Sequence, residues 1–93
     1  MKSYASIDRI EGKWAVCEVE LVSVEESINL DLFEKSTEMI DVEVDIITQT
    51  CDNITEGDII VVEYDCNNVN IVYGKDNQEK QRRIELLKEI MKK

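Results

Sequence analysis

Short runs of alternating apolar and polar residues fill most of the chain, and a single stretch of helical spacing closes it. In Tyr4–Ile10, Ala5 and Ile7 alternate with Tyr4, Ser6 and Asp8, which predicts a first strand. Glu11-Gly12-Lys13 reads as its turn, because glycine reaches positive φ at little cost. A second strand runs from Trp14 to about Val22. Ala15, Cys17, Val19 and Leu21 share the face assigned to the core; Glu18 and Glu20 share the opposite face with Trp14 and Val16. That mixed face needs a cover of its own, such as an end of the sheet or a small cluster beneath a helix.

Ser23–Ser27 reads as a polar connection, and Ile28, Leu30 and Leu32 as a third short strand. Phe33–Glu38 reads as a loop with Lys35, Ser36 and Thr37 at its tip. Ile40, Val42, Val44 and Ile46 then alternate with Asp41, Glu43 and Asp45, predicting a half-buried antiparallel strand with a row of carboxylates in water. Residues 47–55 are irregular, with a turn at Asp52-Asn53 and Ile54 as an anchor. Glu56-Gly57-Asp58 is a second turn. Ile59–Tyr64 is apolar on both faces at its start, which predicts a central or doubly covered strand. Cys66–Val69 reads as a tight hairpin turn, and Asn70–Tyr73 as the last strand, ended by Gly74.

From Asp76 the signals change. Asp76 with Glu79 makes a capping-box-like pair, and Ile84, Leu87, Ile90 and Met91 recur at helical spacing with Leu86 widening the stripe. The predicted helix, residues 77–92, has polar first turns. These point to a helix whose second half is buried and whose first half projects into water or lies along an acidic body. The fold class that follows is mainly β. It is a small antiparallel barrel or curved sheet, SH3-like or OB-like, of five to six short strands over residues 1–75. One C-terminal helix over residues 76–93 belongs to the same domain.

Charge changes the picture more than composition does. The chain has 21 acidic and 11 basic residues, net −10. Between Glu18 and Asp65 there are fifteen acidic residues and one base, Lys35; from Asp76 onward four acids face six bases. An acidic body repels phosphate, so nucleic acid is disfavoured as a partner. There is no histidine, which removes Ser-His-Asp and Cys-His catalysis and most zinc chemistry. Neither a P-loop nor a G-x-G-x-x-G run is present. Cys17, Cys51 and Cys66 are odd in number and lack C-x-x-C spacing, so a disulfide framework is not indicated. Cys17 reads as a small buried hydrophobe, while Cys51 and Cys66 lie at turns, reactive if exposed. No signal-peptide pattern precedes the first strand, and apolar runs such as Ile59–Val62 are far too short to cross a membrane. The reading is a cytoplasmic protein with no membrane partner and no cofactor.

Three groups carry candidate chemistry. Asp41, Glu43 and Asp45 offer hard-cation ligands, but alternate strand residues stand about 6.7 Å apart, wide for one ion. Asp8 and Arg9 read as a strand-end ion pair or local hydrogen-bond partners, with Glu18 within reach of Arg9. Lys80, Arg82 and Arg83 form the one basic cluster. Asp41, Glu43, Asp45, Arg82 and Arg83 are therefore the candidate interaction surface.

Ile7-Asp8-Arg9-Ile10-Glu11-Gly12, then Ala15-Val16 and Glu18, resembles the opening of a family of small bacterial proteins, the domain of unknown function number three thousand and six. Ile40-Asp41-Val42, Glu56-Gly57-Asp58-Ile59 and the charged tail from Asp76 to Met91 are similar to its later strand, turn and close. Ser23–Met39 reads as an insertion against that pattern, and the prolines of the family's later segment are absent. The resemblance implies a compact β domain in a bacterial cytoplasm and no activity. The functional expectation is a non-catalytic binding or accessory module that engages a protein partner through a sheet edge or the C-terminal helix, which could also pair two copies. Two alternatives are an acidic, nucleic-acid-mimicking regulator of a basic protein and a divalent-metal-dependent hydrolase.

Overall fold

A computed structural model describes residues 1–31 and 34–91. Five antiparallel strands form one curved sheet, β1 (Lys2–Glu11), β2 (Trp14–Glu20), β3 (Thr37–Glu43), β4 (Ile59–Asp65) and β5 (Asn68–Lys75). Their order is β3-β2-β1-β4-β5. Three helices complete it: α1 (Val24–Ile28), α2 (Val44–Thr48) and α3 (Asn77–Met91). The mainly β expectation with a C-terminal helix is met.

The first hairpin turns at Gly12-Lys13. Gly12 has φ 59°, where a side chain would be strained, and Glu11 pairs with Trp14. A register shift at Asp8 makes β1 bulge. Ile7 pairs with Cys17, but Arg9 pairs with Val16, so Ile10 opposite Ala15 also turns inward. The Glu56-Gly57-Asp58 turn docks at this point: Ile7 N–H donates to Asp58 O (2.9 Å) and Gly57 N–H to Ile7 O (2.8 Å). In the β4–β5 hairpin, Cys66 and Asn67 take φ 48° and 65°, as a two-residue turn with two left-handed positions requires.

The concave face of the sheet holds the core. Ala5, Ile7, Ala15, Cys17, Val19, Val42, Ile60, Val62, Val69 and Val72 are buried there. The edge strands β3 and β5 approach one another, and α2 plugs between them, sending Ile47 and Cys51 into the core. Val44 N–H anchors the start of α2 to Lys13 O at 2.8 Å.

Several expected boundaries move. The predicted strand at 28–32 is replaced by α1 and a turn. Ser23 caps α1 through a hydrogen bond from Glu26 N–H, the standard way a serine starts a helix; Leu32 and Phe33 lie outside the described residues. The strand predicted through Ile46 stops at Glu43, and Asp45 belongs to α2. An alternating run of β-branched residues fits a strand, but docking Val44 on the Lys13 carbonyl turns the chain. Leu21, expected on the core face, lies past the end of β2 and is exposed, whereas Glu20, on the mixed face expected to need a cover, is buried. Of the two turn cysteines expected to be reactive if exposed, Cys51 is buried and Cys66 is exposed.

Candidate functional site

The convex face of β1 and β2 carries Tyr4, Val16 and Glu20, all buried. α3 lies over this side and brings charge to it. Asp76 starts the helix as expected, accepting Glu79 N–H at 2.9 Å. The Glu79 side chain does not complete a capping box. It turns to the sheet instead, 6% exposed, and holds two arginines.

Arg82 forks onto Glu79 with two bonds of 2.7 Å, from Nε and Nη2. Arg83 Nε donates to Glu79 Oε2 at 2.6 Å, and its Nη2 lies 2.8 Å from Glu20 Oε2. Its guanidinium also sits 5.2 Å from the Tyr4 ring centroid, within cation–π range. Glu20 takes a further bond from the Ser27 hydroxyl of α1. Lys35 is the third cation. Its side chain is 2% exposed, and Nζ stands 3.8 Å from Glu20 Oε2 with no hydrogen-bond acceptor among the described residues. Two carboxylates and three cations thus join β2, α1, the α1–β3 connection and α3.

A second ionic clasp lies nearby. Asp58 is buried, accepts Thr55 N–H at 2.8 Å, and meets Lys80 at 2.8 Å and Lys75 at 3.5 Å. The first turns of α3 are therefore fastened at two points.

The electrostatics follow from burial and pairing. Burial opposes the charge of Glu79, but the two arginines outweigh it and hold its pKa below the ordinary value. Asp58 behaves likewise: burial raises it, and Lys80, the Thr55 amide and Lys75 bring it below the usual range. Burial, then the neighbouring Arg83 charge, pushes Lys35 down. Burial and Asp76, to which the Tyr4 hydroxyl donates at 3.2 Å, raise Tyr4 to about 12.

The second half of α3 is different. Leu87 is 43% exposed, Ile90 51% and Met91 83%. The stripe expected to be buried faces water, and the polar half follows the second of its two expected courses, lying along the acidic body rather than projecting from it. The reason is length: charged side chains on the first turns find partners on the sheet, and the helix then runs on toward α1. Leu86 and Ile90 line a cleft of about 630 Å³ with Ile28, Leu30, Asp31, Glu34, Asn29 and Arg82.

No known protein family, curated protein or solved structure matches the chain.

Of the candidate surface residues, the structure brings Arg82 and Arg83 together, but both are committed to Glu79 and Glu20. Asp41 and Glu43 are exposed on β3 opposite Val16 and Trp14, while Asp45 sits on α2, so the three do not form one strand row. Among the described residues, no three Cys, Asp or Glu side chains gather closely enough to hold a metal ion. Arg9 pairs with Glu11 (2.6 Å) and Asp8 (3.3 Å), not with Glu18, and all three are exposed. No described helix is long and apolar enough to cross a membrane.

Sequence reasoning missed Lys35, Glu20 and the cleft. For Lys35 a signal existed: it is the single base among fifteen acids between Glu18 and Asp65.

Proposed function

We propose that this protein is a non-catalytic binding module that engages a protein partner through the second half of α3 and the cleft beside it. One observation carries the reading. Leu87, Ile90 and Met91 form an exposed apolar stripe on a helix whose other half is firmly fastened. A rigidly presented apolar helix face is a common docking element. The free cysteines and the absence of C-x-x-C spacing support a reducing compartment such as a bacterial cytoplasm. Nucleic-acid mimicry draws on net charge alone, and the expected three-carboxylate strand row is not formed.

The test is a photo-crosslinking amino acid placed at Leu87 and, as a control, at exposed Gln81 on the same helix. The expected result in cells is a discrete protein adduct from position 87, lost on Ile84→Glu and weak from position 81. Equal labelling from both positions, or none from 87, removes the reading.

A further inference from the structure

Resting on the protein-binding reading above, we infer that the cleft beside α3 takes a basic amphipathic segment of the partner. Its volume, about 630 Å³, lies within the range of roughly 300–1,000 Å³ seen for ligand sites. Ile28, Leu30, Leu86 and Ile90 give it apolar walls, enough for side chains projecting from one face of a segment. The charge at its border is negative. Asp31 and Glu34 line it and are exposed, and Glu25 and Glu26 are exposed on the adjoining α1.

Arg82 also lines the cleft, but its guanidinium is already paired with both oxygens of Glu79. An anionic amphiphile would meet Asp31 and Glu34 with no uncommitted cation among the described lining residues. A second copy would bring another net charge of −10 toward the first. A segment with Leu-like residues on one face and Lys or Arg on the other satisfies both the walls and the border.

The probe is a fluorescein-labelled amphipathic helix built from Leu and Lys, with a Leu/Glu peptide as its charge-inverted control, followed by anisotropy on the whole chain. The Leu/Lys peptide binds, the Leu/Glu peptide does not, and affinity falls with added salt. Asp31→Lys with Glu34→Lys weakens binding about tenfold, as does Ile90→Asp. Asp41→Lys with Glu43→Lys, equal in charge change but on β3, alters it by less than about twofold. All three positions on the cleft side and both on β3 are exposed, and thermal unfolding confirms that each variant folds.

Equal loss from the β3 pair means attraction to general acidity and overturns the inference. So does indifference to Ile90→Asp, displacement of the peptide by dodecanoate, or a dimer in sedimentation that Ile90→Asp dissolves. If the peptide fails to bind while crosslinking from Leu87 persists, the basic segment is wrong and the docking helix stands. If both fail, both readings fall.

Discussion

The two faces of the β1–β2 hairpin are built from the same alternating chain, yet they are held by opposite chemistry. Inward, Ala5, Ile7, Ala15, Cys17 and Val19 pack without a charge. Outward, Tyr4 and Glu20 are buried almost as well, but against Arg83, with Lys35 beside Glu20 and Glu79 holding Arg83. Hydrophobic packing is non-directional and tolerates a missing methyl group by partial collapse. Ion pairs away from water do not. Each charge loses hydration, and only its partners offset that loss. The inner face therefore sets where the chain collapses, and the outer face sets where α3 must lie.

The sharpest way to break this contrast is to delete one carboxylate. Glu79→Ala leaves Arg82, Arg83 and Lys35 with Glu20 alone, and breaking a buried pair costs about 3–5 kcal/mol. That rivals Ile60→Ala in the core, at about 2–5 kcal/mol. Urea unfolding followed by circular dichroism measures both. Replacing Glu20, Glu79, Arg83 and Lys35 together by Met recovers much of the loss, because no buried charge then remains to be satisfied and Arg82, 40% exposed at its side chain, turns to water. A single deletion costing under about 1 kcal/mol would show that water already reaches the network.

Alkali probes the inner face. Burial, then the charge of Asp41, raises Cys17 from 9.0 to about 11. A group raised on folding favours its protonated form in the native state. Its contribution is complete below pH 9 and is lost as pH rises through about 11. Two pKa units correspond to about 3 kcal/mol. Cys17→Ala is expected to flatten the fall in stability between pH 9 and 11, leaving the later loss associated with Tyr4. An unchanged slope would place the alkaline transition elsewhere.

Acid probes the outer face, with a smaller effect. Asp58 and Glu79 are held below their ordinary values of 3.8 and 4.5. Depressed carboxylates stabilise the fold fully above those ordinary values, and the contribution disappears as pH falls through the lower folded values. α3 then releases first, and helical circular dichroism declines while the sheet signal persists. Simultaneous loss of both signals would mean that the two faces unfold as one unit.

How far the sequence discloses each face depends on how local its cause is. Gly12, the Cys66-Asn67 turn and the alternation of Ala15, Cys17 and Val19 are local, and each is legible. Ile10 becomes inward-facing only through the bulge at Asp8, which depends on the docked Glu56-Gly57-Asp58 turn. The alternation puts Glu20 on a face that needs a cover but does not name its partners, because Lys35 and Arg83 are 15 and 63 positions away. The apolar stripe of α3 was visible as a stripe. Its exposure was not, because periodicity reports which residues share a helix face and not where the sheet beneath that helix ends.

The smallest test concerns the seam where the sheet curls on itself. Tyr64 of β4 reaches across to β3, and its hydroxyl donates to Glu38 Oε2 at 2.8 Å. The pairing raises the tyrosine pKa, chiefly through that hydrogen bond. Tyr64→Phe keeps the ring against the core and removes the hydroxyl's contacts with Glu38 Oε2 and Asn67 Oδ1, each at 2.8 Å, so the expected loss of stability is the smallest of these tests. Glu38 is partly exposed and regains water, which limits the penalty. Hydrogen exchange gives the finer reading: amides of β3 and β5 near the seam exchange faster in the variant, while those of β1 and β2 do not. If protection falls evenly across all five strands, the seam is part of the apolar core's own cooperativity. If it falls at the seam alone, curvature there is held by a polar contact, as α3 is on the outer face.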